Sequence, residues 1–280
     1  MPTAGGTLRS SPPSRRVLGM RVDSIEATAA AEAILTLAAQ AGVASDDEAA
    51  SGEAAPGPSR YVCAANVHMT MAAHDDAAFR AVVNGAALVL PDGQPMVWAL
   101  RALGLPQRAR VRVAPDLLIE LFAACAARGL KLGLFGGTPE TLQTFVTYLG
   151  DSFPALDVAY AWSPPFRPLT AEEDDAVVRE VSAAGVQLLL VGIGCPKQER
   201  WMAAHAAALP CVMIGVGAAF DMLAGKTGDA PAWMRARGLE WVYRLSQEPG
   251  RLWRRYLIQN PRFVAHFAAQ VVRERRSKRG

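Results

Sequence analysis

The sequence has few of the residues that hold metals or redox groups. Its 280 residues include four cysteines and four histidines. No two cysteines form a Cys-x-x-Cys pair, the histidines are widely spaced, and there is no Asp-x-Asp pair. We therefore predict no metal site and no cofactor. All the cysteines lie in or beside apolar stretches, so reduced and buried thiols in a cytoplasmic protein are expected for Cys63, Cys125, Cys195 and Cys211.

Long apolar runs are also missing. The uncharged run 206–220 contains Pro210, Gly215 and Gly217, so it is too short and too interrupted for a transmembrane helix. The first 14 residues are rich in glycine, proline and serine and have no apolar centre, which is not the pattern of a signal peptide. We expect residues 1–16 to form a disordered N-terminus.

The charge of the chain is unevenly distributed. The overall net charge is +3, but residues 233–280 contain 12 basic and 3 acidic residues, a net charge of +9. Residues 1–232 contain 17 basic and 23 acidic residues, a net charge of −6. A mildly acidic body with a strongly basic tail predicts an anionic partner for the tail: a membrane surface, a nucleic acid or a phosphorylated substrate.

Strands and helices alternate through residues 17–232, which we predict to be one α/β core. Within it, residues 42–59 are acidic and end in Pro-Gly-Pro, a composition typical of a flexible insertion. Elsewhere short apolar runs alternate with helical stretches, which predicts a Rossmann-like, mostly parallel sheet covered by helices. The predicted strands of this sheet are Tyr61–Ala65, Ala86–Leu90, Lys131–Phe135, Asp157–Ala161, Gln187–Ile193 and Cys211–Val216.

Residues 233–280 depart from this alternation and predict a basic helical appendage. Arginines flank a helical face that carries four apolar residues: Phe263, Val264, Phe267 and Val271. Such a helix either lies on an anionic membrane or docks on the core with a solvated basic tail. The neighbouring aromatic residues Trp253 and Tyr256 favour the membrane.

The segment Val191–Trp201 gives the strongest indication of a binding site. An apolar strand breaks at glycine and proline, and a helix opens at Gln198. Backbone N–H groups and the helix dipole at such a junction can face an anion. The residues expected at this site are Gly192, Gly194, Lys197, Gln198 and Glu199. An ordinary solvated strand end explains them equally well.

Three further positions follow predicted strands. Gly136-Gly137 lies between a strand and a helix, where open α/β sheets bind ligands, but it matches neither the dinucleotide nor the P-loop fingerprint. Asp92, in a stiff Pro-Asp-Gly turn, can act as a general base. Asp221 follows another strand end and can face the same crevice. The structural alternatives to a binding site are a tight turn at Gly136-Gly137 and at Asp92, and a helix cap at Asp221.

Three arginines of the appendage are candidates for binding a diphosphate. Arg244, Arg251 and Arg254 are spaced by seven and three residues, so they share one face if the helix is continuous. Pro249-Gly250 leaves that continuity open. The guanidinium fork suits diphosphate oxygens.

Taken together, these segments resemble the WecG/TagA/CpsF family, glycosyltransferase family 26. The resemblance runs from about Tyr61 to about Pro261. Four ordered motifs carry it: Pro91-Asp92-Gly93, Val191–Trp201, Gly215–Gly225 and Gly238–Arg254.

The resemblance implies a peripheral glycosyltransferase on the inner face of the cell membrane, active in cell-surface polysaccharide or exopolysaccharide synthesis. Such enzymes move a sugar from a UDP-sugar to a polyprenyl-diphosphate-linked sugar, with inversion and without a metal. Asp92 would then be the general base, and Asn66 and Gln198 would line the sugar pocket. The nucleotide sugar would be bound by four glycines and three polar residues: Gly136, Gly137, Gly192, Gly194, Lys197, Glu199 and Asp221. The tail would fold over the site at the membrane, and its three arginines would hold the diphosphate. Whether the protein forms a homo-oligomer is left open.

The sequence departs from the family pattern at two places. Ala64 stands where the family often has threonine. The family's Arg-Val-x-Gly-x-Asp stretch lacks its glycine here, so either Arg110 or Arg112 can take the place of the site arginine. Both changes bear on which donor sugar the protein uses more than on the class of reaction that it catalyses.

Two other classes of protein account for parts of the pattern. A non-catalytic regulatory module that binds nucleotide sugars would tolerate the loss of Asp92. A nucleic-acid-binding protein could use the +9 tail. The aromatic residues of the tail suit lipid better, so no nucleic-acid partner is expected.

Overall fold

The computed structural model describes residues 11–41, 60–225 and much of the chain from there to residue 277. Beyond residue 225 the described residues are 228, 230, 231, 233, 234, 237, 239–247 and 249–277. The predicted insertion at 42–59 and residues 1–10 lie outside the described residues.

An antiparallel hairpin opens the described chain, formed by β1 (Ser14–Val17) and β2 (Met20–Asp23). Strand pairing begins three residues before the predicted core boundary at residue 17, so the prediction of disorder is wrong for residues 14–16. The hairpin is held because Val17 is fully buried and Asp23 Oδ2 accepts the N–H of Val89, in the main sheet, at 2.8 Å.

A six-stranded parallel sheet forms the centre of the fold, which confirms the predicted α/β class. Its strands are β3 (Tyr61–Ala65), β4 (Leu88–Pro91), β5 (Leu132–Gly136), β6 (Val158–Trp162), β7 (Leu188–Gly192) and β8 (Val212–Gly215). The strand order is β4-β3-β8-β7-β5-β6, and every neighbouring pair is parallel. Because helices cover both faces, the strands are almost continuously apolar.

An apolar cluster lies on each face of the sheet. Leu188 and Leu190 of β7 join one cluster, whereas Leu189 and Val191 join the other, as the two-residue period of a strand requires. Full burial of one such side chain is worth roughly 1.5–3 kcal/mol. The covering helices are α1 (Ala27–Ala41), α2 (Val67–Asp75), α3 (Ala77–Asn84), α4 (Gln94–Ala102), α5 (Leu118–Arg128), α6 (Pro139–Ser152), α7 (Ala171–Ala183), α8 (Lys197–His205) and α9 (Ala219–Leu223).

The C-terminal residues form helices, as the sequence predicts. They are α10 (Glu240–Gln247), α11 (Pro249–Arg254), a π-helical turn (Arg255–Gln259) and α12 (Asn260–Ser277). Helix α12 begins before the predicted start at Phe263. Pro261 is the second residue of α12 and directly follows the π-helical turn.

The apolar face of α12 packs on the core. Phe263 is 5% exposed, and Phe267 and Val271 contact the same buried cluster. Of the four residues predicted to face a membrane, Val264 alone is exposed, at 64%. The core-docked alternative is therefore correct for this face, because the hairpin and α2 offer it an apolar surface. In the described part of the chain, no helix combines the length and apolar character needed to cross a bilayer.

Candidate active site

The carboxyl ends of β3, β4, β7 and β8 open into one cavity of about 560 Å³. Asn66 follows β3, Asp92 follows β4, Gly194 follows β7 and Gly217 follows β8, and all four residues line the cavity. Ligands of open parallel sheets bind at this edge. The structure thus brings together six of the residues that the sequence singles out: Asn66, Asp92, Gly194, Gln198, Glu199 and Arg244.

Backbone contacts hold Asp92 at the wall of this cavity. Its N–H donates to the carbonyl of Ala65 at 3.0 Å, and its Oδ1 accepts the N–H of Val113 at 3.0 Å. Burial raises the pKa of the Asp92 carboxyl above its ordinary value, although the Val113 hydrogen bond and the charge of Arg244 act in the opposite direction. The ionised Asp92 is therefore a stronger base than an exposed aspartate.

Gln198 joins the two loops that follow β7 and β8. Its Oε1 accepts the N–H groups of Gly194 at 3.2 Å and Gly217 at 3.1 Å. Its Nε2 donates to Glu199 Oε1 at 2.7 Å. A Cβ on Gly215 would lie 2.8 Å from this Nε2, so the close approach requires glycine. Gln198 lines the cavity, and its carboxamide positions the two loops; a contact with a sugar stays a prediction.

The carboxylate of Glu199 is fully buried beside this contact. Burial raises the pKa of the Glu199 carboxyl, and the hydrogen bond from Gln198 opposes that shift. Among the described residues its Oε2 has no hydrogen-bond partner. Glu199 fixes which way the Gln198 carboxamide points, and thereby the shape of the cavity floor.

Asn66 caps helix α2 at the end of β3. Its Oδ1 accepts the N–H of Met69 at 3.1 Å, as is typical of an N-cap. Gly93 lies close beside it, since an added Cβ there would be 3.4 Å from Asn66 Cβ. The capping bond and this packing fix Asn66 next to the Asp92 turn.

The appendage closes the open side of the cavity. Tyr243, Arg244 and Tyr256 line it from α10 and the π-helical turn. Two polar contacts join the appendage to α2: Gln259 Oε1 lies 2.8 Å from His68 Nδ1, and Arg262 binds both oxygens of Asp75 at 2.8 and 3.0 Å. The cavity is therefore built jointly by the core and the appendage.

Glu240 lies among three arginines at the edge of the cavity. The sequence analysis did not identify it as a site residue. It forms an ion pair with Arg110, and its carboxylate lies 3.8 Å from Arg112 Nε and 3.2 Å from Arg244 Nη2. Arg110, Arg112 and Arg244 line a smaller adjoining cavity of about 140 Å³ that also reaches Asp92. Arg110 and Arg112 therefore both belong to one basic cluster. The only signal in the sequence is that Glu240 is a rare acidic residue in a basic tail.

We expect Glu240→Ala to lower the free energy of unfolding by about 1–3 kcal/mol, because it leaves the partly buried guanidinium of Arg110 without its carboxylate. Glu240→Gln, which keeps an oxygen acceptor, should cost less. The measurement is urea unfolding of both variants. Glu32→Ala is the control, since its pair with Arg128 is exposed and should change stability by about 0.5 kcal/mol or less. Equal losses for Glu32→Ala and Glu240→Ala would contradict the prediction.

Three predicted glycines contribute to packing outside these two cavities. Gly136 and Gly192 lie backbone against backbone, and a Cβ on Gly136 would be 2.5 Å from the carbonyl of Gly192. Gly137 follows with a φ of +72°. The Gly136-Gly137 segment is thus a tight turn from β5 into α6.

Two predicted polar residues also lie outside these cavities. Asp221 Oδ1 accepts the hydroxyl of Thr141 at 3.0 Å, which joins α9 to α6. Lys197 is exposed at the start of α8. The side chains of Arg251 and Arg254 lie outside the described residues, so their role in binding a diphosphate stays a prediction.

The carboxylate of Asp92 and a cluster of arginines lie at the carboxyl edge of a parallel sheet, the edge at which α/β proteins bind their ligands. The sequence profile of the Glycosyl transferase WecG/TagA/CpsF family matches residues 15–277, and the chain belongs to this family. Membership implies a transferase that moves sugars in the synthesis of cell-surface polymers. The match includes the hairpin except Ser14 and the whole of α12, beyond the range 61–261 that carries the resemblance.

Proposed function

We propose that this protein transfers a sugar from a UDP-sugar to a polyprenyl-diphosphate-linked sugar, with inversion and without a metal ion. The observation that carries the proposal is the position of Asp92. It lies in a cavity at the carboxyl edge of the sheet, and the wall of that cavity includes Arg244 of the appendage.

Asp92 acts as the general base in a single displacement. Its Oδ1 is held by Val113, so Oδ2 takes the proton from the acceptor hydroxyl. The acceptor oxygen forms the new bond to the anomeric carbon from the face opposite to the UDP. The bond from that carbon to the diphosphate oxygen breaks, and UDP leaves with the electron pair. One displacement inverts the anomeric configuration.

Arginines supply the positive charge that the departing diphosphate needs. Arg110 and Arg112 from the core and Arg244 from the appendage face two carboxylates, Glu240 and Asp116, so the cluster keeps one excess positive charge beside the cavity. Preorganised cations at the place where charge develops stabilise a transition state.

The membrane-linked acceptor approaches across the exposed apolar side chains of the appendage. Trp253, Leu257 and Ile258 are 42%, 60% and 48% exposed, and Ile258 also lines the cavity. Val264 extends this surface onto α12. Aromatic and aliphatic side chains beside a basic tail suit the interface of an anionic membrane. In this proposal the exposed surface contacts the membrane, the role that the sequence analysis gave to the apolar face of α12.

The test is a transfer assay with a panel of UDP-sugars and a short-chain polyprenyl-diphosphate-sugar acceptor. We expect one UDP-sugar to be used, with a product whose new linkage has the anomeric configuration opposite to that of the donor by NMR. Retention of configuration, or transfer only from nucleotide sugars of another base, would contradict the proposal.

We expect turnover to be unchanged in EDTA. The described residues contain no group of three or more His, Cys, Asp or Glu side chains placed to hold a metal ion, and the arginine cluster can neutralise the diphosphate instead. The assay compares initial rates before and after chelation. Loss of activity that Mg²⁺ or Mn²⁺ restores would show that the reaction needs a metal.

A further inference from the structure

A second cavity, of about 530 Å³, lies away from the active site and shares no lining residue with its cavity. The β1–β2 hairpin, the helices α2 and α3, and the C-terminal helix α12 form its walls. Six basic side chains line it: Arg15, Arg16, His74, Arg80, His266 and Arg273. The one acidic side chain in its lining is Glu274. We call this cavity the basic groove.

The guanidiniums of the basic groove are not neutralised by carboxylates. Arg15 donates to the carbonyl of Leu103 at 3.0 Å, and Arg80 donates to the carbonyl of Ala73 at 3.2 Å. Arg16 likewise binds a backbone carbonyl. Across the described ranges 11–41, 60–225 and 249–277, no ion pair joins these three arginines or Arg273 to a carboxylate.

The carboxylates nearest to the basic groove are already engaged. Asp75 is bound by Arg262, and Asp76, next to it between α2 and α3, is bound by Arg200 at 2.6 Å. Glu274 accepts the Nε2 of Gln270 at 2.8 Å. Glu274 keeps its charge because Gln270 is neutral, so the groove holds four guanidinium groups against one lining carboxylate. A concave site with an excess of charge of one sign attracts ions of the other sign.

The walls of the groove are fixed relative to one another. Gln270, which is 5% exposed, accepts the N–H of Leu18 at 2.8 Å and donates to the carbonyl of Arg16 at 2.7 Å. The rings of His74 and His266 lie with their centres 4.6 Å apart across the contact between α2 and α12. The basic groups from three segments that are distant in sequence are thus held around one space.

We propose that the basic groove binds an anion that carries a phosphate or diphosphate group. Guanidinium forks and imidazole N–H groups are the side-chain donors suited to phosphate oxygens. The ligand bridges the hairpin, α2–α3 and α12, so its binding stabilises the docking of α12 on the core. The phosphate belongs either to a soluble ligand or to the headgroup of a lipid, and the two sources are separated by experiment.

The first arm measures binding of inorganic pyrophosphate to the full-length protein by calorimetry. Arg244→Ala is used as the background, since it weakens the arginine cluster of the active site. We expect Arg15→Gln/Arg273→Gln to lower the remaining affinity roughly 10- to 100-fold, because each charge-assisted contact is worth about tenfold. Arg275→Gln/Arg276→Gln is the matched control: it removes the same charge, and neither side chain lines the groove.

The second arm measures flotation with phosphatidylglycerol vesicles, and phosphatidylcholine vesicles serve as the neutral reference. Loss of pyrophosphate binding in the groove variant but not in the control supports a soluble phosphate ligand. If the groove variant loses only vesicle binding, and the control keeps it, the result supports a lipid headgroup. If the groove variant behaves as the control does in both arms, the basic groove is not an anion site and the proposal is overturned. Activity with a soluble acceptor should be unchanged in the groove variant, which separates this outcome from a failure of the proposed function.

Discussion

Asp92→Asn should lower turnover by roughly 10²- to 10⁴-fold, the usual contribution of a positioned general base. Asparagine keeps the oxygen that accepts the Val113 N–H, so the turn after β4 should stay in place. What the variant loses is the ability to take a proton from the acceptor hydroxyl. Initial rates at saturating donor and acceptor measure this loss, and calorimetry with UDP checks that nucleotide binding survives.

The same variant should not be less stable at neutral pH. Burial raises the pKa of Asp92 in the folded protein, so ionisation costs folding free energy above that pKa, and the cost disappears as the pH falls below the ordinary value of an aspartate. Asparagine removes this cost. We therefore expect a melting temperature equal to or above that of the wild type at neutral pH, with the difference vanishing in acid.

The wild-type rate should fall as the pH drops through the raised pKa of Asp92, because only the ionised carboxylate accepts a proton. The acid limb of the pH–rate profile should thus lie above the range of an exposed aspartate. Asp151→Asn, on the exposed surface of α6, is the matched control and should keep both rate and profile. Near-normal transfer by Asp92→Asn would show that another group acts as the base and would remove the catalytic assignment of Asp92.

Arg244→Ala should lower turnover by about 10²-fold or more even with a short-chain, water-soluble acceptor. Arg244 lines the active-site cavity and belongs to the cluster around Glu240, so its loss removes charge where the diphosphate leaves. Arg200→Ala is the control, because Arg200 pairs with Asp76 and lies outside the cavity. Single-turnover rates separate a defect in chemistry from a defect in acceptor binding.

The soluble acceptor also distinguishes two roles for the appendage arginines. If Arg244 served only to hold the membrane, the soluble acceptor would restore the full rate of the variant, and the diphosphate role would be wrong. The same comparison applies to Arg251 and Arg254. A partial defect at those two positions, with a complete defect at Arg244, would place the diphosphate at the end of α10.

Much of the core can be predicted from the sequence because its signals are local. Buried parallel strands are continuous apolar runs, and here each of β3, β4 and β7 ends beside a polar or turn-forming residue. The endings of β4 and β7 indicated Asp92 and Gly194, and the family resemblance indicated Asn66; the structure places all three around one cavity. The parallel arrangement itself puts them at the same edge, so no knowledge of side-chain contacts was needed.

Other features depend on contacts between distant residues. Glu240 and Arg110 are 130 positions apart, and a lone glutamate in a basic tail gives no local sign of a buried ion pair. The hairpin strand at residues 14–16 was missed because two arginines in four residues favour a solvated end over a strand. Gly136 and Asp221 follow strands just as Asp92 does, yet sheet position and helix packing put them outside the cavities.

The sequence by itself determined the parallel α/β core and the basic helical tail, since each rests on periodicity or composition along the chain. The role of Asp92 as the base stays a prediction. Only the tertiary structure decided which face of the tail is buried. An apolar helical stripe gains the same free energy from lipid as from a protein core, so the pattern of Phe263, Phe267 and Val271 cannot distinguish the two. The stripe packs on the apolar surface of the hairpin and α2, whereas Trp253, Leu257 and Val264 are among the apolar side chains of the appendage that stay exposed.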